Sequence, residues 1–126
     1  MKPFRVKAVL FDFDGTLSRP GSLDFDRIKR ELGCPLDRPV LEFIRGLSDA
    51  AERNRAMDSL NAFEQAGAED SKPNLGAEET VRAIRSLNLG VGLITRNRLS
   101  SIERALENFE HLGPSDFDVI VTRDHP

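Results

Sequence analysis

The sequence predicts an α/β protein: a three-layer parallel β-sheet with helices packed on its faces, interrupted by a small helical insert after the first strand. Three observations carry this reading. An apolar run near the start ends abruptly in an acidic turn, Asp12-Phe13-Asp14-Gly15-Thr16. Two further short apolar runs, at 90–95 and 117–122, alternate with amphipathic helical patterns. Residues 18–76, by contrast, read as helix without any strand. Strands that alternate with helices of this length imply right-handed crossovers and a parallel sheet. A length of 126 residues allows one domain with an insert and excludes a full-size barrel.

Taken in order, Arg5 to Phe13 passes from alternation into a continuous apolar run, the pattern of a strand covered on both faces. Asp14, Gly15 and Thr16 supply the turn that ends it. Asp24 to Leu32 has a helical stripe of Phe25, Ile28 and Leu32, with Gly33 as its stop. Pro35 and Pro39 punctuate the chain before a short helix over 40–47. Ser48 is the expected cap of a third helix that runs to about Ala66 and buries Ala51, Met57, Leu60 and Phe63. Gly67 to Gly76 reads as a linker. Val81, Ile84 and Leu87 then recur at helical spacing over 77–87. Gly90 to Thr95 is a short strand, and Ser100 with Glu103 makes a capping box for a helix carrying Ile102, Leu106 and Phe109. Gly113-Pro114 ends that helix and Phe117 to Thr122 forms the third strand. The expected division is thus a core of 1–17 and 77–126 with an insert of 18–76.

Charged residues make up 31% and hydrophobic residues 39%, ordinary values for a folded protein. A net charge of −3 gives no basic footprint for nucleic acid, so no nucleic-acid partner is expected. No apolar run approaches a bilayer span or a signal-peptide core, so no membrane association is expected. The single cysteine, Cys34, has no partner for an internal disulfide. These features lead to the expectation of a cytoplasmic protein.

In a parallel sheet the reactive loops lie beyond the carboxyl ends of the strands. That rule gathers Asp12, Asp14, Thr95 and Asn97 on one edge, with Arg123 and Asp124 near it. Two carboxylates spaced i, i+2 at the end of an apolar strand are costly unless something uses them. A divalent cation removes the cost, and hard oxygen ligands favour Mg²⁺. One carboxylate can then attack phosphorus while the other handles protons. Gly15 lets the backbone approach a phosphate, to which its N–H and that of Thr16 can donate. The competing reading of Asp-x-Asp-Gly is ordinary turn chemistry, in which Asp bonds its own backbone and Gly takes positive φ. Thr95 can donate a hydroxyl to a phosphoryl oxygen while Asn97 orients substrate, or Thr95 can simply start a turn. Arg96 and Arg98, and Arg45, Arg53 and Arg55 in the insert, read as solvated surface charges. His111 reads as a partner of a helix terminus, and His125 as part of a terminal tail.

Asp12-Phe13-Asp14-Gly15-Thr16 resembles the first motif of the haloacid dehalogenase (HAD) superfamily of phosphohydrolases, and Leu93-Ile94-Thr95-Arg96-Asn97 resembles its second. The insert is similar in placement to that family's small cap domain. The resemblance implies a Rossmann-like core and a Mg²⁺-dependent phosphatase acting on a small phosphorylated metabolite through an aspartyl-phosphate. It further implies Asp12 as nucleophile, Asp14 as general acid and base, and Thr95 as phosphoryl ligand. Mg²⁺ would be held by the Asp12 carboxylate and the Asp14 backbone carbonyl. A second Asp in the motif favours phosphoryl transfer over dehalogenation.

The family's third motif, a Lys, and its fourth, an acidic loop, normally follow the third strand, whereas this sequence stops at Pro126. Lys2, Lys7, Lys29 and Lys72 do not sit at a matching position. The expectation is therefore an incomplete core of weak activity at most, since loss of one preorganised charge commonly costs roughly 10²–10³ in rate. A further expectation is an unpaired apolar edge on the first strand that favours homo-oligomers. A non-catalytic phosphate-binding or protein-interaction module with the same fold is the alternative. A nucleotide-sugar transferase built on Asp-x-Asp fits less well, because the motif stands early and is followed by Gly-Thr.

Overall fold

The computed structural model describes residues 4–124; the tail reading of His125 lies outside them. The elements in order are β1 (Ala8–Asp12), α1 (Phe25–Leu32), α2 (Val40–Arg45), α3 (Ala50–Asp70), α4 (Ala77–Ser86), β2 (Gly90–Ile94), α5 (Leu99–Leu106) and β3 (Val119–Val121). The strands form one parallel sheet in the order β1-β2-β3, in register from Leu10 through Gly92 to Val119 and from Asp12 through Ile94 to Val121. The α/β class and parallel order are those the sequence predicts.

One face of this sheet carries Val91 and Leu93 from β2, with Phe11 and Ile120 alongside. Val81 of α4 and Ile102, Ala105 and Leu106 of α5 pack on it in a single cluster with Phe13, Leu17, Phe109 and Phe117. The opposite face differs from the sequence reading of β1. Leu10, Ile94 and Val119 remain 58%, 44% and 42% exposed, so among the described residues the helices cover one face only. An apolar strand sequence records the coverage a strand can accept, not whether an element covers it.

The segment between β1 and α4 builds a second cluster, in which Ile28, Cys34, Val40, Leu41, Ile44 and Leu60 bury one another. Its two connections to the sheet run side by side. Asn74 N–H donates to the Leu17 carbonyl and Arg19 N–H to that of Lys72, each at 2.8 Å. α1 keeps its expected bounds, with the Asp24 side chain accepting from Arg27 N–H and Gly33 left-handed at its end.

Several local expectations are corrected. Asp49, not Ser48, caps α3 by accepting from Ala51 N–H at 3.0 Å. That helix continues through Gly67 to Asp70 and buries Leu60, Glu64, Gly67 and Ala68, while Ala51 is exposed and Met57 and Phe63 are half-buried. Gly67 is needed there, because a Cβ would stand 2.9 Å from the Ser22 carbonyl oxygen and 2.8 Å from Leu23. The Ser100–Glu103 capping box does not form. α5 begins at Leu99, whose N–H is accepted by the Asp124 carboxylate at 2.9 Å, so a side chain 25 residues away does the work of a local cap. The helix also ends at Leu106, and Gly113-Pro114 instead opens a 3₁₀ turn over Pro114–Asp116.

Candidate active site

β1 ends at Asp12, and the chain turns at once through Phe13–Leu17. Phe13 and Leu17 are both buried and fix the turn from its two ends. Between them Asp14 is extended (φ −66°, ψ 120°) and Gly15 is left-handed at φ +80°, a region that any other side chain strains to adopt. Ser18 closes the turn: its N–H donates to the Phe13 carbonyl at 3.1 Å, and its Oγ accepts from Gly15 N–H at 3.3 Å.

The second strand delivers Thr95, whose N–H donates to the Val121 carbonyl at 2.9 Å and extends the ladder past Ile94. Thr95 Oγ1 accepts from Asn97 N–H at 3.1 Å. This is the turn-starting role of a Thr, and it leaves the hydroxyl proton free for another acceptor. Asn97 is buried and its Nδ2 donates to Asp14 Oδ2 at 2.5 Å, tying the loop after β2 to the turn after β1.

Asp12, Asp14, Thr95 and Asn97 line one cavity of about 320 Å³ between the strand ends and the helical insert. Gly15 lines a smaller neighbouring hollow with Arg19 and Pro20. Its N–H is already engaged by Ser18. Thr16 is exposed, is not among the residues of the main cavity, and has its carbonyl accepting from Asn74 Nδ2 at 3.2 Å. The geometry therefore joins four of the six expected residues and sets Gly15 and Thr16 to one side.

The Asp14 carboxyl is pushed up to about 6, first by burial, then by the charges of Asp12 and Glu64, against the opposing hydrogen bond from Asn97. Glu64 was not among the residues expected at the site. Its only sequence signal was a carboxylate on the stripe that joins Leu60 to Ala68 at helical spacing. From α3 it reaches the cavity, with its side chain 7% exposed. Arg123, just past β3, donates to both of its oxygens at 2.8 and 3.1 Å, and to Asn61 Oδ1 at 2.9 Å. Arg98 stands 3.9 Å away and donates to the Asn61 carbonyl, so it is not a solvated surface charge. Arg96 pairs with Glu42 of α2. Arg45 and Arg55 are exposed and Arg53 caps the Leu47 carbonyl; none of the three lines the cavity. Asp124 serves α5 instead.

No family model matches the chain. An uncharacterized hydrolase of Saccharomyces cerevisiae is 30% identical over 121 residues, which are 94% of this chain and 55% of that protein. Among solved structures, a predicted phosphatase from Clostridium acetobutylicum aligns over 93% of this chain and 61% of its own, with a TM-score of 0.66 at 21% identity. A haloacid dehalogenase-like hydrolase from Streptococcus pneumoniae aligns over 93% and 61%, with a TM-score of 0.61 at 20% identity. The chain has the fold of the HAD superfamily. This is the fold that the sequence resemblance implied. A phospho-aspartyl intermediate analogue of phosphoserine phosphatase shares this HAD fold too, at a TM-score of 0.52 and 20% identity over 94% of this chain and 56% of that one. The chain spans a little over half the length of the yeast relative and about three fifths of the first two structures. Among the described residues, no helix is long and apolar enough to cross a membrane.

Proposed function

We propose that this chain carries the nucleophile half of a HAD-type phosphohydrolase acting on a small phosphate ester. The observation that carries the reading is the convergence of Asp12, Asp14, Thr95 and Asn97 on one cavity at the strand ends. The Asp12 carboxylate attacks phosphorus, forming an acyl-phosphate as the ester P–O bond breaks. Asp14 gives its proton to the departing alcohol, then takes one from the water that attacks the same phosphorus and frees Asp12. A carboxyl titrating near 6 suits a group that must hold and surrender a proton near neutrality. Thr95 donates its free hydroxyl proton to a phosphoryl oxygen, and Asn97 holds Asp14 in place. The phosphoserine phosphatase analogue, a phospho-aspartyl species on the same fold, supports this chemistry. Gly15 and Thr16 remain proposed phosphate ligands only through a rearranged turn, since Gly15 N–H bonds Ser18.

Among the described residues no group of three or more His, Cys, Asp or Glu is placed to hold a metal ion. The Asp12 carboxylate with the Asp14 backbone carbonyl still suits Mg²⁺, which is commonly bound through one or two carboxylates and keeps several waters. Mg²⁺ held by these two residues would neutralise charge on the phosphoryl oxygens. Residues 18–76 are proposed as the cap, supported by their separate hydrophobic cluster. Among the described residues β1 is paired on one edge only, and with its exposed Leu10 this supports self-association.

The test is hydrolysis of an aryl phosphate with Mg²⁺ by the wild type and by Asp12→Asn. A rate abolished in the variant is expected. Equal rates in the two proteins favour instead a phosphate-binding module without turnover.

A further inference from the structure

The helical insert gives the cavity a wall that differs sharply from its floor. Its apolar part is Phe25, Pro39, Val40, Leu41 and Leu60, drawn from α1, α2, α3 and the connection before α2. The insert adds two charged groups, Lys29 and Glu64, and no hydroxyl or amide side chain. Glu64 is committed to Arg123. From the floor side, Arg96 is committed to Glu42. Lys29 is different. Among the described residues its ammonium has no carboxylate partner; it donates once, to the Leu36 carbonyl at 3.0 Å. Two of its three N–H donors remain.

We infer that Lys29 sets specificity at this site, which takes a phosphate monoester whose leaving alcohol is apolar next to the ester and ends in an anionic group. The inference rests on the phosphohydrolase reading above and names the substrate class. With phosphorus at Asp12, the organic part of the ester lies against the insert. A polyol placed there gives up its water without recovering hydrogen bonds, because the apolar wall offers none. An apolar wall discriminates against an added hydroxyl by up to about a hundredfold. An aromatic or aliphatic group gains by leaving water at the same wall. A carboxylate at its far end meets the free donors of Lys29 in a charge-assisted bond.

The experiment compares phenyl phosphate, 4-carboxyphenyl phosphate and glycerol phosphate, with Mg²⁺, on wild type, Lys29→Ala and Lys29→Arg. Binding of the three corresponding phosphonates is measured in parallel by calorimetry. The expected order of kcat/KM and of affinity is carboxyphenyl, then phenyl, then glycerol. Lys29→Ala is expected to shrink the carboxyphenyl-to-phenyl ratio at least about tenfold, as for loss of a hydrogen bond to a charged group. Lys29→Arg should retain most of the ratio. A glycerol ester handled as well as the aryl esters, or an unchanged ratio in Lys29→Ala, overturns the inference, as does failure of every phosphonate to bind. Phosphonates that bind in the expected order without turnover of any ester would uphold it while overturning catalysis.

Discussion

Asp14 stands where the wild-type protein gives up stability, and the loss can be worked out. Its carboxyl titrates near 6 in the folded chain, against an ordinary value of 3.8. Below the lower value it is protonated in both states and contributes nothing against folding. As pH rises through 6, the folded state must ionise a group held against burial and against the charges of Asp12 and Glu64. The preference for the folded state falls across that window by about 3 kcal/mol, at 1.36 kcal/mol for each pKa step. Because Asp14 keeps some contact with solvent, this is an upper value. Asp14→Asn removes the charge while its amide oxygen can still accept from Asn97. In urea unfolding with EDTA present, the variant should gain on the wild type by up to about 3 kcal/mol between pH 3.5 and pH 8. A gap between the two proteins that stays constant with pH, or narrows toward pH 8, would refute the assignment of these charges.

Arg123→Ala leaves the Glu64 carboxylate buried without its main partner and should cost about 3–5 kcal/mol in denaturant unfolding. Adding Glu64→Gln should recover much of that loss; additive losses would show that the two side chains do not act as a pair. Wild type should self-associate in sedimentation velocity as concentration rises, and Leu10→Lys should stay monomeric through its charge on the open sheet face. A wild type that remains monomeric across the micromolar range sinks that expectation.

Local patterns in the sequence were enough to locate the helices and strands, because the apolar spacing that defines them is also what buries them; the end of α5, expected at Gly113 and found at Leu106, is the exception. Asp12, Asp14, Thr95 and Asn97 were legible for a related reason: a parallel sheet brings its strand ends together whatever the loops contain. What escaped was every feature made by distant side chains. The cap of α5 comes from Asp124, so a local Ser-x-x-Glu pattern at 100–103 misled. Glu64 and Arg123 are 59 residues apart, and neither alone differs from a surface charge. Lys29 has no local mark in the sequence; only the placement of α1 on the cavity gives it one. Gly67, read as the start of a linker, lies inside α3, where close contact with Ser22 and Leu23 asks for it.

The Glu64–Arg123 pair also orders events in time. During synthesis α3 emerges well before its counter-charge, and at about 5–20 residues per second the ribosome needs several seconds to supply it. Through that interval a carboxylate destined for the interior lacks the guanidinium that binds both of its oxygens, which argues against early docking of α3. The helices of residues 18–76 can gather around Ile28, Ile44 and Leu60 meanwhile, yet their seating on the sheet waits for the chain just past β3. In a nascent chain the cavity thus closes only after Arg123 has joined Glu64.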